Sequence, residues 1–258
     1  MRIAISGKGG SGKTTLAGTL ARVLAQRGLD VLAIDGDPNP TLGHTLGIPY
    51  DEVDALPTLP ADLLETVAAP DGTQTRRLRL SIPALKDTFG TAAPDGVTLL
   101  IAGRVEHASR GCMCGMHAAV RGLLKELMLH TEGVTLTDME AGIEHLSRAT
   151  LSDIDVLLVV VEPFYKSIYT GEKVVSLARE LGIPRIVGIA NKVRTDEDRR
   201  VIGNACARWD IEVLGVVPFD EALRDAEQDR RAPMDVAADS AAVHAVERIA
   251  DRLMPVAA

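Results

Sequence analysis

Gly7-Lys8-Gly9-Gly10-Ser11-Gly12-Lys13-Thr14-Thr15 decides how this chain folds. Before it, Arg2-Ile3-Ala4-Ile5-Ser6 is a short apolar run of strand length. After it, Leu16, Ala17, Leu20, Val23 and Leu24 recur at helical spacing up to Gly28, a C-terminal stop. A strand, a glycine-rich turn and a helix start in that order make a phosphate-binding loop. The glycines let backbone N–H groups turn inward around anionic oxygens, and the helix N-terminus adds partial positive charge. Gly9, Gly10, Ser11, Gly12, Lys13, Thr14 and Thr15 are therefore the candidate nucleotide ligands. In this pattern Lys13 reaches the β- and γ-phosphates, the Thr14 hydroxyl sits on Mg²⁺, and Thr15 bonds the α-phosphate.

The 258 residues, 46% of them hydrophobic, can bury one sizeable core, expected as one α/β domain spanning 1–258. Twenty-eight basic against 36 acidic side chains leave a formal charge of −8. That balance argues against non-specific nucleic-acid binding. Three cysteines are too few for a disulfide framework. Met1 leads straight into the first strand, so no signal segment is expected, and no apolar run approaches the ~20 residues needed to span a bilayer. A cytoplasmic protein that does not enter membranes is expected.

Beyond the first helix, Val31 to Asp35 reads as a second strand ending in Asp35-Gly36-Asp37-Pro38-Asn39-Pro40. From Thr41 to Pro94 the pattern loosens into a long excursion, with a short helix expected at Ala61 to Val67 and an edge strand at Arg77 to Ile82. Val97 to Ala102, Val134 to Thr137, Val156 to Val161, Ile186 to Ala190 and Val213 to Val217 read as further strands. Helices are expected at Met116 to Leu129, Ser167 to Leu181, Asp196 to Trp209 and Ser240 to Leu253. Strands alternating with helices predict a mainly parallel, doubly wound sheet with both faces covered.

In such sheets ligands lie beyond the carboxyl ends of the strands. Asp37 and Asp138 both follow apolar strands and so arrive at the γ-phosphate end of the loop. Asp138 to Gly142 has the form D-x-x-x-G, whose carboxylate suits Mg²⁺ directly or through water. Asp35 is a weaker metal candidate. Late in the chain, Asn191-Lys192-Val193-Arg194 occupies the place of a base reader. A guanine reader of the N-K-x-D type needs a carboxylate acceptor where Arg194 has only donors, so ATP is favoured, with the Asn191 amide on adenine. Pro218-Phe219-Asp220 flanks the same base. Cys112-Met113-Cys114 supplies two thiolates, half of a four-coordinate soft-metal site that a two-fold dimer completes. Cys206, among Ala205, Ala207 and Trp209, reads as core.

Lys8, giving K-G-G-x-G-K-T, resembles the deviant Walker A motif of the MinD/ParA/nitrogenase-iron-protein ATPases. That resemblance implies a homodimer closing over two nucleotides, with Lys8 acting in trans like an arginine finger. It also makes Asp37 the switch I residue that orients the attacking water and places Asp138 in switch II. A closer resemblance rests on G-C-M-C-G-M-H-A-A-V-R-G-L-L from Gly111 to Leu124 and D-M-E-A-G-I-E-H-L from Asp138 to Leu146. These stretches resemble the CooC-type nickel-insertion ATPases, accessory proteins of carbon monoxide dehydrogenase. The resemblance implies nickel or zinc held between subunits by Cys112 and Cys114, with ATP turnover altering that site for a client metalloenzyme. Two rivals stand beside it. One is an electron carrier with a bridging [4Fe–4S] cluster, although residues 138–155 hold no cysteine for it. The other is a MinD- or ParA-like positioning ATPase, although 254–258 carries no basic tail.

Overall fold

The computed structural model describes residues 1–60, 63–68, 74–103, 133–139 and 154–254. The expected C-x-C site at Cys112 and Cys114, the expected helix over 116–129 and the end of the D-x-x-x-G motif lie outside the described residues. The chain opens with β1 (Arg2–Gly7), α1 (Lys13–Gln26), β2 (Val31–Asp35) and α2 (Leu42–Leu46). The excursion holds β3 (Leu64–Ala68), β4 (Gln74–Leu78), α3 (Ile82–Phe89) and β5 (Thr91–Ala92). Then come β6 (Thr98–Ile101), β7 (Val134–Asp138), β8 (Val156–Val161), α4 (Tyr165–Glu180), β9 (Ile186–Val193) and α5 (Asp196–Arg208). β10 (Glu212–Pro218), α6 (Glu221–Gln228), α7 (Pro233–Val236) and α8 (Ala241–Leu253) complete the described chain.

The main sheet has the order β10-β9-β8-β1-β7-β2-β6-β5. Its pairings are parallel except for the short β5, which runs antiparallel to β6 at the edge. This is the doubly wound α/β arrangement expected of a phosphate-loop protein. β8 reads Val-Leu-Leu-Val-Val-Val and is buried along its whole length, as a parallel strand covered on both faces must be. Ile3 and Ile5 of β1 face a core shared with Leu20 and Leu24 of α1 and Val246 and Ile249 of α8. Ala4 faces the opposite side, against Val174 and Ala178 of α4. β1 therefore lies between two apolar layers, and the loop leaving it starts from a rigid base.

Two expectations in the excursion are corrected. Of the segment expected as a helix at Ala61 to Val67, the residues from Leu64 onward form strand β3, paired antiparallel with β4 in a hairpin separate from the main sheet. A helix of one or two turns has little stability of its own, whereas a partner strand satisfies the backbone at once. The expected edge strand at Arg77 to Ile82 ends at Leu78, and Ile82 instead begins α3. Ser81 caps that helix, its hydroxyl accepting from the Ala84 N–H at 3.4 Å, with a proline in the first turn. The serine–proline start signal outweighed the apolar alternation. β9 also runs to Val193, so Asn191 and Lys192 belong to the strand rather than to a loop after it. No helix among the described residues is long and apolar enough to cross a membrane.

α1 and α2 approach closely at Gly18, where an added Cβ would stand 2.3 Å from the Thr45 hydroxyl and 2.9 Å from its carbonyl carbon. Thr45 in turn donates to the Thr14 and Leu42 carbonyls, at 3.2 Å and 2.9 Å. The contact thus fixes the segment after Asp37 onto the first helix. Gly18→Ala is expected to destabilise the protein by about 1–3 kcal/mol, because backbone as well as side chain must shift. Urea denaturation checks this; an unchanged midpoint contradicts it.

Candidate nucleotide-binding site

The helix that receives the loop has no cap of its own. Gly12 occupies the N-cap position of α1 in left-handed backbone (φ +88°), no side chain caps the helix, and its first turn carries no acid. The donors that open α1 are left for an external anion. Lys13 is buried, its ammonium directed at the Lys8 carbonyl at 3.4 Å. The Lys8 ammonium folds back onto the Gly9 carbonyl at 2.9 Å.

β9 holds the loop from the side. The Asn191 amide N–H donates to the Ser11 carbonyl at 2.7 Å, and the Lys192 ammonium donates to the Gly10 carbonyl at 2.5 Å. Glu162, buried at the end of β8, pairs with Lys192 at 3.1 Å. The fit is tight, since a Cβ on Gly12 would lie 2.5 Å from the Asn191 amide nitrogen. Asn191, read from sequence as an adenine ligand, therefore spends one of its N–H groups on the loop itself. The Lys192–Glu162 clamp escaped sequence reading; its signal was Lys192 beside Asn191, taken there only as part of the base reader.

The acidic side is built by strand register. Asp35 at the end of β2 stands opposite Asp138 at the end of β7, and the Gly36 N–H donates to the Asp138 carbonyl at 2.9 Å. Both Asp35 carboxylate oxygens are taken, by the Asp37 N–H at 3.1 Å and the Leu42 N–H at 2.8 Å. Asp35 therefore ties down the segment between Asp37 and α2. Burial, reinforced by the Asp138 charge, pushes its carboxyl up to about 7. Burial likewise pushes Asp138 up to about 6, opposed by the Thr14 hydroxyl and the Lys13 ammonium. The Asp138 Oδ1 is buried with no hydrogen-bond partner. An unpartnered carboxylate oxygen beside Thr14 is a site a hard cation fits, so this donor set suits Mg²⁺. The Asp37 carboxylate accepts from the Asn39 N–H at 2.8 Å and lies at the same strand ends.

Two cavities flank the loop. One, of about 190 Å³, is lined by Thr15, Asn191, Pro218, Phe219 and apolar side chains of α6 and α8. The Arg194 guanidinium lies 3.4 Å over the Phe219 ring, and the Phe219 N–H donates to the Val193 carbonyl at 2.9 Å. Asp220 is a structural tie, accepting from Ala222 at 3.0 Å and Ala242 at 3.1 Å. The other cavity, about 560 Å³, runs along Gly10 to Thr15 and is walled by His44, Tyr50 and Arg230. Nothing in the sequence pattern singled out those last three.

The family described as the CobQ/CobB/MinD/ParA nucleotide binding domain matches residues 3–234. This chain belongs to that family. Within it, the chain is 39% identical over 235 residues to the carbon monoxide dehydrogenase accessory protein CooC of Rhodospirillum rubrum, covering 88% of this chain and 87% of CooC. It is also 37% identical to an ATP-binding protein of Methanocaldococcus jannaschii, over 86% of this chain and 87% of that one. The septum site-determining protein MinD of Pyrococcus horikoshii, solved with Mg-ADP, superposes with a TM-score of 0.71 at 22% identity. That superposition covers 98% of this chain and 96% of MinD and carries the fold alone. The chain is thus a CooC-like nucleotide-binding member of the MinD/ParA family.

Asp35 makes the apo site sensitive to pH. With its carboxyl raised from 3.8 to about 7, its contribution to stability is full below the unfolded value and is lost as pH rises through about 7. Asp35→Asn stays neutral throughout. Its unfolding free energy, relative to the wild type without nucleotide, should therefore rise between pH 5 and pH 8 by an amount on the order of 1 kcal/mol or more, read from urea denaturation at each pH. A difference independent of pH contradicts the assignment.

Proposed function

We propose that this protein is an ATP-hydrolysing metallochaperone that works as a homodimer and aids nickel insertion into a client metalloenzyme of the carbon monoxide dehydrogenase kind. The similarity to CooC over most of both chains carries this reading. It is supported by the C-x-C pair at Cys112 and Cys114, which no generic ATPase needs. On this reading the whole chain, 1–258, is one ATPase unit working in the cytoplasm.

The chemistry derives from the loop and its neighbours. Backbone donors from Gly9 to Thr15 take the phosphate oxygens, and Lys13 neutralises charge between the β- and γ-phosphates. The Thr14 hydroxyl and Asp138, directly or through water, would hold Mg²⁺, which would supply positive charge against the same oxygens. Asp37 orients the attacking water. Lys8, lying on its own loop in a single chain, swings to the nucleotide of the partner subunit when ATP brings two copies together. Pro218 and Phe219 enclose the adenine, with the second N–H of Asn191 left for it. The metal cargo, Ni²⁺ or Zn²⁺, is taken by Cys112 and Cys114 from each of two protomers. Loss of the γ-phosphate releases Asp138, and the segment after it carries that change towards the thiolates.

Replacing Cys112 and Cys114 together by serine should abolish stoichiometric metal binding while ATP binding persists. Metal analysis of anaerobically purified protein, with ATP titration alongside, checks this, and full metal content in the variant contradicts it. Lys8→Ala should lose ATP-dependent dimerisation and slow hydrolysis by roughly 10³-fold, as removal of a trans cation does. Sedimentation and phosphate release measure the two effects; a variant that dimerises and hydrolyses normally removes Lys8 from the mechanism.

A further inference from the structure

Arg230 stands where a glycine is ordinarily found. α6 ends at Gln228, Asp229 is its C-cap, and Arg230 comes next in left-handed backbone at φ +58°. Its N–H donates to the Glu227 carbonyl at 3.1 Å, and the Arg231 N–H donates to the Ala226 carbonyl at 2.8 Å, closing the turn that ends the helix. A Cβ is crowded in that conformation, which is why glycine dominates it. A large side chain kept there against local preference points to a use for the side chain.

The guanidinium is held in a defined place. It lies 4.4 Å over the Tyr50 ring, and Tyr50 is itself stacked on His44, with centroids 4.5 Å apart and planes 21° from parallel. The His44 Nδ1 is buried without a hydrogen-bond partner, so stacking rather than hydrogen bonding at that nitrogen fixes the ring. Arg230 makes no ion pair with any described residue. All three side chains line the same 560 Å³ cavity as Gly12, Lys13 and Thr14. The cavity therefore has both a cation, backed by an aromatic face, and a loop built for phosphate in its wall.

We propose that Arg230 is a nucleotide-binding residue, set by the Tyr50–His44 stack to bond the polyphosphate of a nucleoside triphosphate held by the loop of the same protomer. Arginine suits the position because its planar face can stay on Tyr50 while its edge N–H groups reach phosphate oxygens. Tyr50 lies just after α2, itself downstream of Asp37, so the contact would also join the end of α6 to the segment expected to sense the γ-phosphate. The inference rests on the nucleotide reading of the loop.

The test is calorimetric titration of the full chain with ATP and, separately, with adenosine, in wild type, Arg230→Gly and Lys13→Ala. Arg230→Gly should bind ATP about tenfold or more weakly, as loss of a charge-assisted contact does. Its affinity for adenosine should be unchanged. Its melting temperature without nucleotide should be equal or higher, because glycine accepts the left-handed turn. ATP affinity within about twofold of wild type overturns the proposal, and so does an equal loss for adenosine, which would make Arg230 a ribose or pocket-shaping residue. Lys13→Ala separates the two failures. If wild type binds ATP, Lys13→Ala does not, and Arg230→Gly is unaffected, this proposal alone falls. If wild type binds no ATP, the nucleotide reading falls with it.

Discussion

Unspent backbone donors at the start of α1 are the constraint around which the other elements are arranged. A helix N-terminus without a capping side chain costs stability in the free protein, and the loop before it uses left-handed glycines that lose the most freedom on folding. The structure offsets this by bracing the loop from outside. β1 anchors it between two apolar layers, and β9 supplies Asn191 and Lys192 to carbonyls of Ser11 and Gly10. The Ser11 N–H, on the same peptide as the Gly10 carbonyl, closes a turn onto the Lys8 carbonyl at 3.1 Å, so the loop is held from within as well as from β9. The loop is thereby shaped for an anion before one arrives.

Opposite that electropositive end, two carboxyls are buried deeply enough to hold their protons better than free aspartates do. The arrangement is unfavourable as long as both are charged, and a buried oxygen on Asp138 is left without a donor. A hard cation bound there would relieve that strain. Asp35, fully engaged with backbone N–H groups, carries the consequences to α2, since the Leu42 N–H at the start of that helix is one of its partners. Charge at the strand ends and the position of the segment from Asp37 to Leu46 are therefore linked through hydrogen bonds rather than through distance alone.

The cavity side adds a second link. The end of α6 meets the end of α2 through Arg230, Tyr50 and His44, while the start of α6 is tied to α8 by Asp220. The cavity beside Phe219, the phosphate loop and the segment leading into α2 thus share walls contributed by elements far apart in sequence. A ligand filling both cavities would touch both the first helix, at Thr15, and the loop after β10, at Phe219.

Much of this was legible in the amino-acid order. The loop from Gly7 to Thr15, the strands around β1, β2, β8 and β10 and the closing helix α8 announce themselves because period and glycine spacing are local properties. Asp37 and Asp138 could be placed at the phosphate end because parallel topology puts strand ends together. The hairpin β3–β4 and the start of α3 were misread, since short segments take the structure that a partner strand or a cap offers them. That Asp35 ties down the segment leading into α2 could not be seen until its two backbone partners were placed. Nor could Asn191 and Lys192 be seen bracing the loop, or Arg230 lying over Tyr50. Those contacts join the two ends of the chain, and only the packing of the sheet decides that they meet.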